Sequence, residues 1–378
     1  MNPFFNYNSK RLNGLDHLRA LAILLVMVFH YGRGIPSWLE PVRQIGWTGV
    51  DLFFVLSGYL IGSILLKEYD QTREINFKQY FIKRTLRIIP AYIAVLGIYY
   101  ALPNLREGSG MPPLWKFLTF TQNLGLDAQH HKSFTHAWSL CIEEQFYLLL
   151  PFIIVTLFYF KVQKATPYLL IALVGLGFVL RSVNWYEHVQ PFIDSGNRRE
   201  MVYGFLEKIY YPSYNRMDGL LIGVGIALVL RYQPKVKDLH AKHGNFILLI
   251  GTGVFAVAYI GCESLISRPT AIYGFPLISL AYGVMVMAAV SPSCVLYKVK
   301  SKLSVIIATL SYSVYLIHKQ VFFLTKKVIG TMNMDKLEAW TFWIGMLVSF
   351  IIAMLLYLLV EKPFMKLRSQ ILRKMASE

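Results

Sequence analysis

The chain has 378 residues, of which 55% are hydrophobic and only 16% charged, with a mean hydropathy of +0.46. Soluble domains carry about 25% charged residues. Here mostly apolar runs of about 17 to 25 residues, long enough to cross a hydrocarbon core as helices, recur from end to end, which excludes a soluble globular protein. The net charge of +17 would suggest nucleic acid in a soluble chain. Most Lys and Arg lie between the apolar runs, however, where they read as topology signals, and no nucleic-acid partner is implied.

We place membrane spans at residues 15–32, 46–66, 88–102, 142–160, 167–183, 216–231, 245–262, 271–290, 303–325 and 339–360. All are taken as helices, because isolated strands cannot satisfy their backbone in lipid. The expectation is an all-α, polytopic membrane helix bundle of ten spans forming one integral membrane domain over residues 1–378. The excess of Lys and Arg in alternate connections, clearest around Lys67 to Arg87 and in the C-terminal tail, places both termini in the cytoplasm. Two long connections, 103–141 and 184–215, then face outward. The first apolar run opens with Asp16, His17 and Arg19 and lacks a small-residue cleavage site, so it is expected to stay as the first membrane helix. Cys141, Cys262 and Cys294 are scattered without ligand spacing and read as small buried hydrophobes.

In the first span, Arg19 and His30 are eleven residues apart. Eleven steps of about 100° return to within roughly 20° of the same face, and the two stand about 16 Å apart along the axis. They line one stripe at two depths, Arg19 towards the cytoplasm and His30 towards the outside. Ionisable residues inside a membrane mark a site or a buried pair; the bland readings are a snorkelling Arg19 and a hydrogen-bonded core His30.

In the second span, Ser57 and Gly58 let a neighbouring helix approach closely, and Asp51 either faces Arg or His of another helix or caps the span. Before the third, Arg84 and Arg87 share a helix face. They suit either anionic membrane lipid or, as paired guanidinium forks, the phosphates of a cytoplasmic donor.

The fourth span opens with Trp138-Ser139-Leu140-Cys141-Ile142-Glu143-Glu144-Gln145-Phe146-Tyr147. Its two carboxylates need partners. One is expected to orient or deprotonate a histidine while the other is structural, since adjacent helix positions point about 100° apart. His130, His131 and His136 lie near, but without a matching ligand constellation no metal site is expected. Arg216 and Asp218 open the sixth span as a candidate orienting ion pair. His318 in the ninth reads as a packing or hydrogen-bonding residue, and Val360-Glu361-Lys362-Pro363 closes the tenth.

Together these segments resemble the acyltransferase 3 family of integral membrane acyltransferases, which includes surface-polysaccharide O-acetylases. The matching pieces, in the family's order, are Gly14–Ala20 with His30, Asp51–Gly58, Arg84–Tyr92, Trp138–Tyr147, Arg216–Asp218, Ser311–Leu316 and Val360–Pro363. His17 and Cys141 stand where small residues are usual. The resemblance implies that Arg19 and His30 form an Arg-x10-His motif. It also implies that an acyl group, acetyl by default, passes from cytoplasmic acyl-CoA to a carbohydrate hydroxyl outside a bacterial cytoplasmic membrane. On this reading Arg19, Arg84 and Arg87 hold the CoA phosphates. His30 is general base or acyl carrier, Glu143 or Glu144 orients it, and Asp51, Ser57, Trp138, Ser139, Tyr147, Arg216 and Asp218 support the site. The last span ends at residue 360 of 378, so a soluble extracytoplasmic partner, or none, is expected to take the place of the hydrolase-like domain fused to some members. A glycan or lipid transporter or flippase is the rival reading, since ionisable groups at two depths also describe a translocation path.

Overall fold

The first helix, α1 (Asn13–Tyr31), packs along two others, α2 (Gly49–Thr72) and α10 (Lys302–Thr331). In this computed structural model, which describes residues 12–162, 165–262, 264–331 and 340–377, the remaining long helices gather around that trio. They are α3 (Phe77–Ala101), α4 (Trp138–Tyr159), α5 (Thr166–His188) and α6 (Asp218–Tyr232). After α7 (Pro234–Lys242) and α8 (Gly244–Ile260) come α9 (Phe275–Ala289), α11 (Thr341–Leu356) and α12 (Lys362–Ser377). The described residues contain helices and connections only, as the sequence pattern predicts.

Among the described residues, seven helical stretches are long and apolar enough to cross a membrane, and eight if α6 and α7, bent by 99° at their junction, count as one span. Ten were expected. The differences have local causes: α3 starts eleven residues earlier than the expected span at 88 and takes in Lys83, Arg84 and Arg87, whereas α8 has only 17 residues. The segment carrying Arg84 and Arg87 before the expected third span is thus the first half of α3, whose start is capped by Asn76 accepting the Gln79 N–H at 2.9 Å. The first residue of the expected last span, 339, lies outside the described residues. The two long connections carry short helices of their own, including Leu114–Leu118 and Arg198–Phe205.

Burial sorts the spans. The stretch Lys302–Thr331 has 72% of its apolar window buried within the protein, against 17% for Thr166–Asp194 and 22% for Trp340–Ser377, so α10 is central and α5 and α11 form the rim.

The tightest helix contact joins α2 to α6. Gly58 and Gly62 on one helix meet Gly219 and Gly223 on the other, a small-residue spacing that lets backbones touch. A Cβ on Gly58 would lie 2.1 Å from the Leu220 carbonyl oxygen, and one on Gly223 would lie 2.3 Å from that of Val55. Two buried ion pairs flank this contact. Arg216 Nη2 donates to Asp51 Oδ1 at 2.8 Å, and Arg181 Nη1 on α5 donates to Asp218 Oδ2 at 2.7 Å. The expected Arg216–Asp218 pair is therefore replaced by two pairs between different elements. Arg216 lies in the turn before α6 and Asp218 is the first residue of α6, and each found its partner across the bundle. The Arg216 guanidinium also lies over the rings of Phe275 (3.7 Å), Tyr210 (4.7 Å) and Trp138 (5.3 Å), where cation–π attraction is strong because water is excluded.

Removing one partner of a buried pair strands the other charge and costs about 3–5 kcal/mol, whereas replacing both by apolar groups is often nearly neutral. Arg216→Met should accordingly lower the thermal unfolding midpoint in detergent far more than the double change Asp51→Leu with Arg216→Met. Equal losses in the single and double variants would show that the pair does not hold α2 against α6.

Candidate active site

Arg19 and His30 of α1 lie in two separate polar surroundings. At the Arg19 end lies a cavity of about 370 Å³ lined by Arg19, Ser57, Arg84, Arg87, Glu143 and Arg368, among others. Four guanidinium groups and one carboxylate face this space, so it favours an anion, and planar forks of this kind suit phosphate. The arrangement is braced rather than loose. The Arg84 guanidinium sits 5.0 Å above the Tyr147 ring, whose hydroxyl donates to Glu143 Oε2 at 2.9 Å. Arg87 Nη1 lies 3.4 Å from Glu361 Oε2, and Glu361 Oε1 accepts the Ser313 hydroxyl. Arg368 reaches the cavity from α12, which folds back against α3. In the sequence it was indistinguishable from the other tail cations read as topology signals.

At the opposite end of α1, His30 meets His318 of α10, with Nδ1 2.9 Å from His318 Nε2. The tautomers follow from the next bonds. His318 Nδ1 faces the carbonyl oxygens of Val314 (3.1 Å) and Tyr315 (2.9 Å) and so carries a hydrogen. In neutral His318, Nε2 is then an acceptor and His30 Nδ1 donates to it. That leaves His30 Nε2 as the nitrogen with an available lone pair, which is what a general base requires. His318 is fully buried and His136, also buried, lies close, with ring centroids 5.1 Å apart.

The expected pairing of His30 with Glu143 or Glu144 is corrected. Glu143 bonds to Tyr147 and lines the arginine cavity, Glu144 does not line it, and the bonded partner of His30 is His318. The sequence showed His318 as a hydrogen-bonding residue but not with whom, because the two histidines are 288 residues apart. Arg19, Arg84 and Arg87 do converge, with Ser57, Tyr147 and Ser139 beside them. Asp51, Trp138, Arg216 and Asp218 belong to the neighbouring ion-pair framework.

Tyr315 stands between the arginine cavity and the histidines. It lines the arginine cavity, and its ring centroid is 5.8 Å from that of His318. Its hydroxyl donates to the His136 carbonyl oxygen at 2.6 Å and lies 2.5 Å from Ser139 Oγ. Among the described residues, no group of three His, Cys, Asp or Glu is arranged to hold a metal ion.

Comparison with known proteins matches this arrangement to one family. Residues 12–358 match the sequence profile of the acyltransferase 3 family, described as an acyltransferase domain. "Putative O-acetyltransferase SACOL0978" of Staphylococcus aureus (strain COL) is 30% identical over 383 residues, covering 96% of this chain and 59% of that protein. The O-acetyltransferase OatA of Staphylococcus aureus (strain NCTC 8325 / PS 47) is 28% identical over 377 residues, covering 95% of this chain and 58% of its own length. The chain thus spans about three fifths of the length of the curated relatives it matches. No solved structure matches it. Since the profile covers nearly all of the helical bundle, from the start of α1 to the end of the last apolar stretch, the chain belongs to the acyltransferase 3 family.

Proposed function

We infer that this chain is a membrane O-acyltransferase that moves an acyl group from acyl-CoA to a hydroxyl of a carbohydrate, with acetyl as the group because the relatives are named O-acetyltransferases. The observation that carries this reading is that one helix, α1, holds both functional ends. Arg19 lies in a cation-lined cavity suited to CoA phosphates, and His30 carries a lone pair held in place by His318. The cavity opens on the cytoplasmic side of a bacterial inner membrane, with both termini there, and the histidines lie towards the outside.

In the proposed transfer, the CoA phosphates rest on Arg84, Arg87, Arg368 and Arg19, and the thioester arm points past Ser139 and Tyr315. His30 Nε2 takes the proton of the acceptor hydroxyl as its oxygen attacks the thioester carbonyl. Collapse of the adduct breaks the carbon–sulfur bond, and the CoA sulfur leaves with the proton returned by the imidazolium. The charge on His30 is stabilised through the Nδ1–H bond to His318, whose own Nδ1–H is anchored on backbone carbonyls. Glu143, bonded to Tyr147, keeps that ring under Arg84 and so serves the donor end.

Positioned general-base help is worth roughly 10² to 10⁴-fold in rate. His30→Ala in nanodiscs should therefore lose transfer of label from acetyl-CoA to a cell-surface glycan extract by about that factor, while CoA still binds. Full turnover in this variant would remove His30 from the mechanism, and absence of thioester consumption by the wild type would favour a carrier. Hydrogen bonds to charged groups contribute about 1.5–3 kcal/mol each. Replacing Arg84 and Arg87 together by Ala should accordingly weaken CoA binding by at least about tenfold in a calorimetric titration; unchanged affinity would return both residues to lipid anchoring.

A further inference from the structure

Beside the histidine pair, three ionisable groups meet that the transfer step above does not use. They are Glu107, in the connection after α3, His136, in the turn before α4, and Lys319, next to His318 on α10. His136 Nε2 lies 3.2 Å from the Leu316 carbonyl oxygen, so this nitrogen carries the hydrogen and donates. His136 Nδ1 is left with a lone pair, and among the described residues it is buried without a hydrogen-bond partner. Another acceptor, Glu107 Oε1, lies 4.0 Å away. That oxygen already accepts the Phe134 N–H at 3.0 Å, while Glu107 Oε2 is also buried without a partner among the described residues. Lys319 Nζ closes the third side, 3.8 Å from Glu107 Oε1, with one hydrogen bond to Thr135 Oγ1 at 3.2 Å.

A purely structural ion pair would close to hydrogen-bond distance. Here two acceptors and an ammonium stand apart by more than that, in a region where unpaired polar atoms are costly. The Tyr99 hydroxyl, also buried without a hydrogen-bond partner among the described residues, faces Glu107, and a group that both donates and accepts, such as a hydroxyl, would satisfy these atoms together. Lys319 has the most exposed side chain of the three, at 20% against 7% for Glu107 and 0% for His136, so the cluster is reached from the lysine side. The His30 ring centroid is 6.2 Å from that of His136.

We propose that Glu107, His136 and Lys319 form the acceptor subsite, which recognises a vicinal diol of a carbohydrate. One hydroxyl accepts from Lys319 and donates to His136 Nδ1, and its neighbour donates to Glu107 Oε2. The subsite holds the sugar beside His30 and rests on the acyltransferase reading given above.

The test uses the full chain in nanodiscs, with methyl α-D-glucopyranoside as the diol probe and radiolabelled acetyl-CoA as donor. Glu107→Gln and Lys319→Met should each raise the probe concentration for half-saturation at least about tenfold, as expected for one lost charge-assisted hydrogen bond. This rise should exceed any fall in the limiting rate, with CoA affinity unchanged as the folding control, and Lys319→Arg should recover much of the loss. Unchanged half-saturation in both variants, or a loss confined to the limiting rate, would overturn the subsite and leave the acyltransferase reading standing. Failure of the wild type to acetylate either the probe or a glycan extract would overturn both.

Discussion

A charge inside a bilayer has no water to satisfy it, so the ionisable side chains of this bundle are arranged by the partners they find across helices. Asp51 with Arg216, Arg181 with Asp218 and Arg87 with Glu361 each join elements distant in the chain. The α2–α6 contact brings the first pair together, because the glycines at 58 and 223 leave room for backbone against backbone, and the second pair ties α5 to α6. With that framework set, α1 is held between α2 and α10, with Arg19 in the arginine cavity and His30 bonded to His318.

The geometry of α1 turns a local sequence pattern into a division of labour. Eleven residues place Arg19 and His30 on one stripe but about 16 Å apart, too far to act on the same atoms. Arg19 joins a cluster of guanidinium groups built from α1, α3 and α12, and His30 joins a histidine whose tautomer is fixed by backbone carbonyls. One end is suited to bind a large anion and the other to accept a proton, with Tyr315 between them.

What could be read from the sequence follows the range of the interaction. The stripe on α1, the shared face of Arg84 and Arg87 and the close packing at Ser57-Gly58 are all consequences of helical period, and they hold in the structure. Asp51 was read as either facing Arg or His of another helix or capping its span, and nothing local singles out Arg216 from 165 residues away. Local proximity misled at Arg216 and Asp218, which neighbour each other in sequence and face different partners. Glu143 or Glu144 was expected to orient His30, but the Glu143 carboxylate turns to Tyr147. Arg368 was hidden because a tail cation at the membrane boundary looks the same whether it meets solvent or a cavity.

The central claim is that donor and acceptor reach one reaction from the two ends of α1. Its most direct test is a cryo-electron microscopy map of the chain in nanodiscs with a non-hydrolysable thioether analogue of acetyl-CoA. The account predicts phosphate density against Arg84, Arg87 and Arg368, with the sulfur-bearing arm running past Ser139 and Tyr315 towards His30. Phosphate density at the His30 end, or an analogue bound outside the arginine cavity, would contradict it.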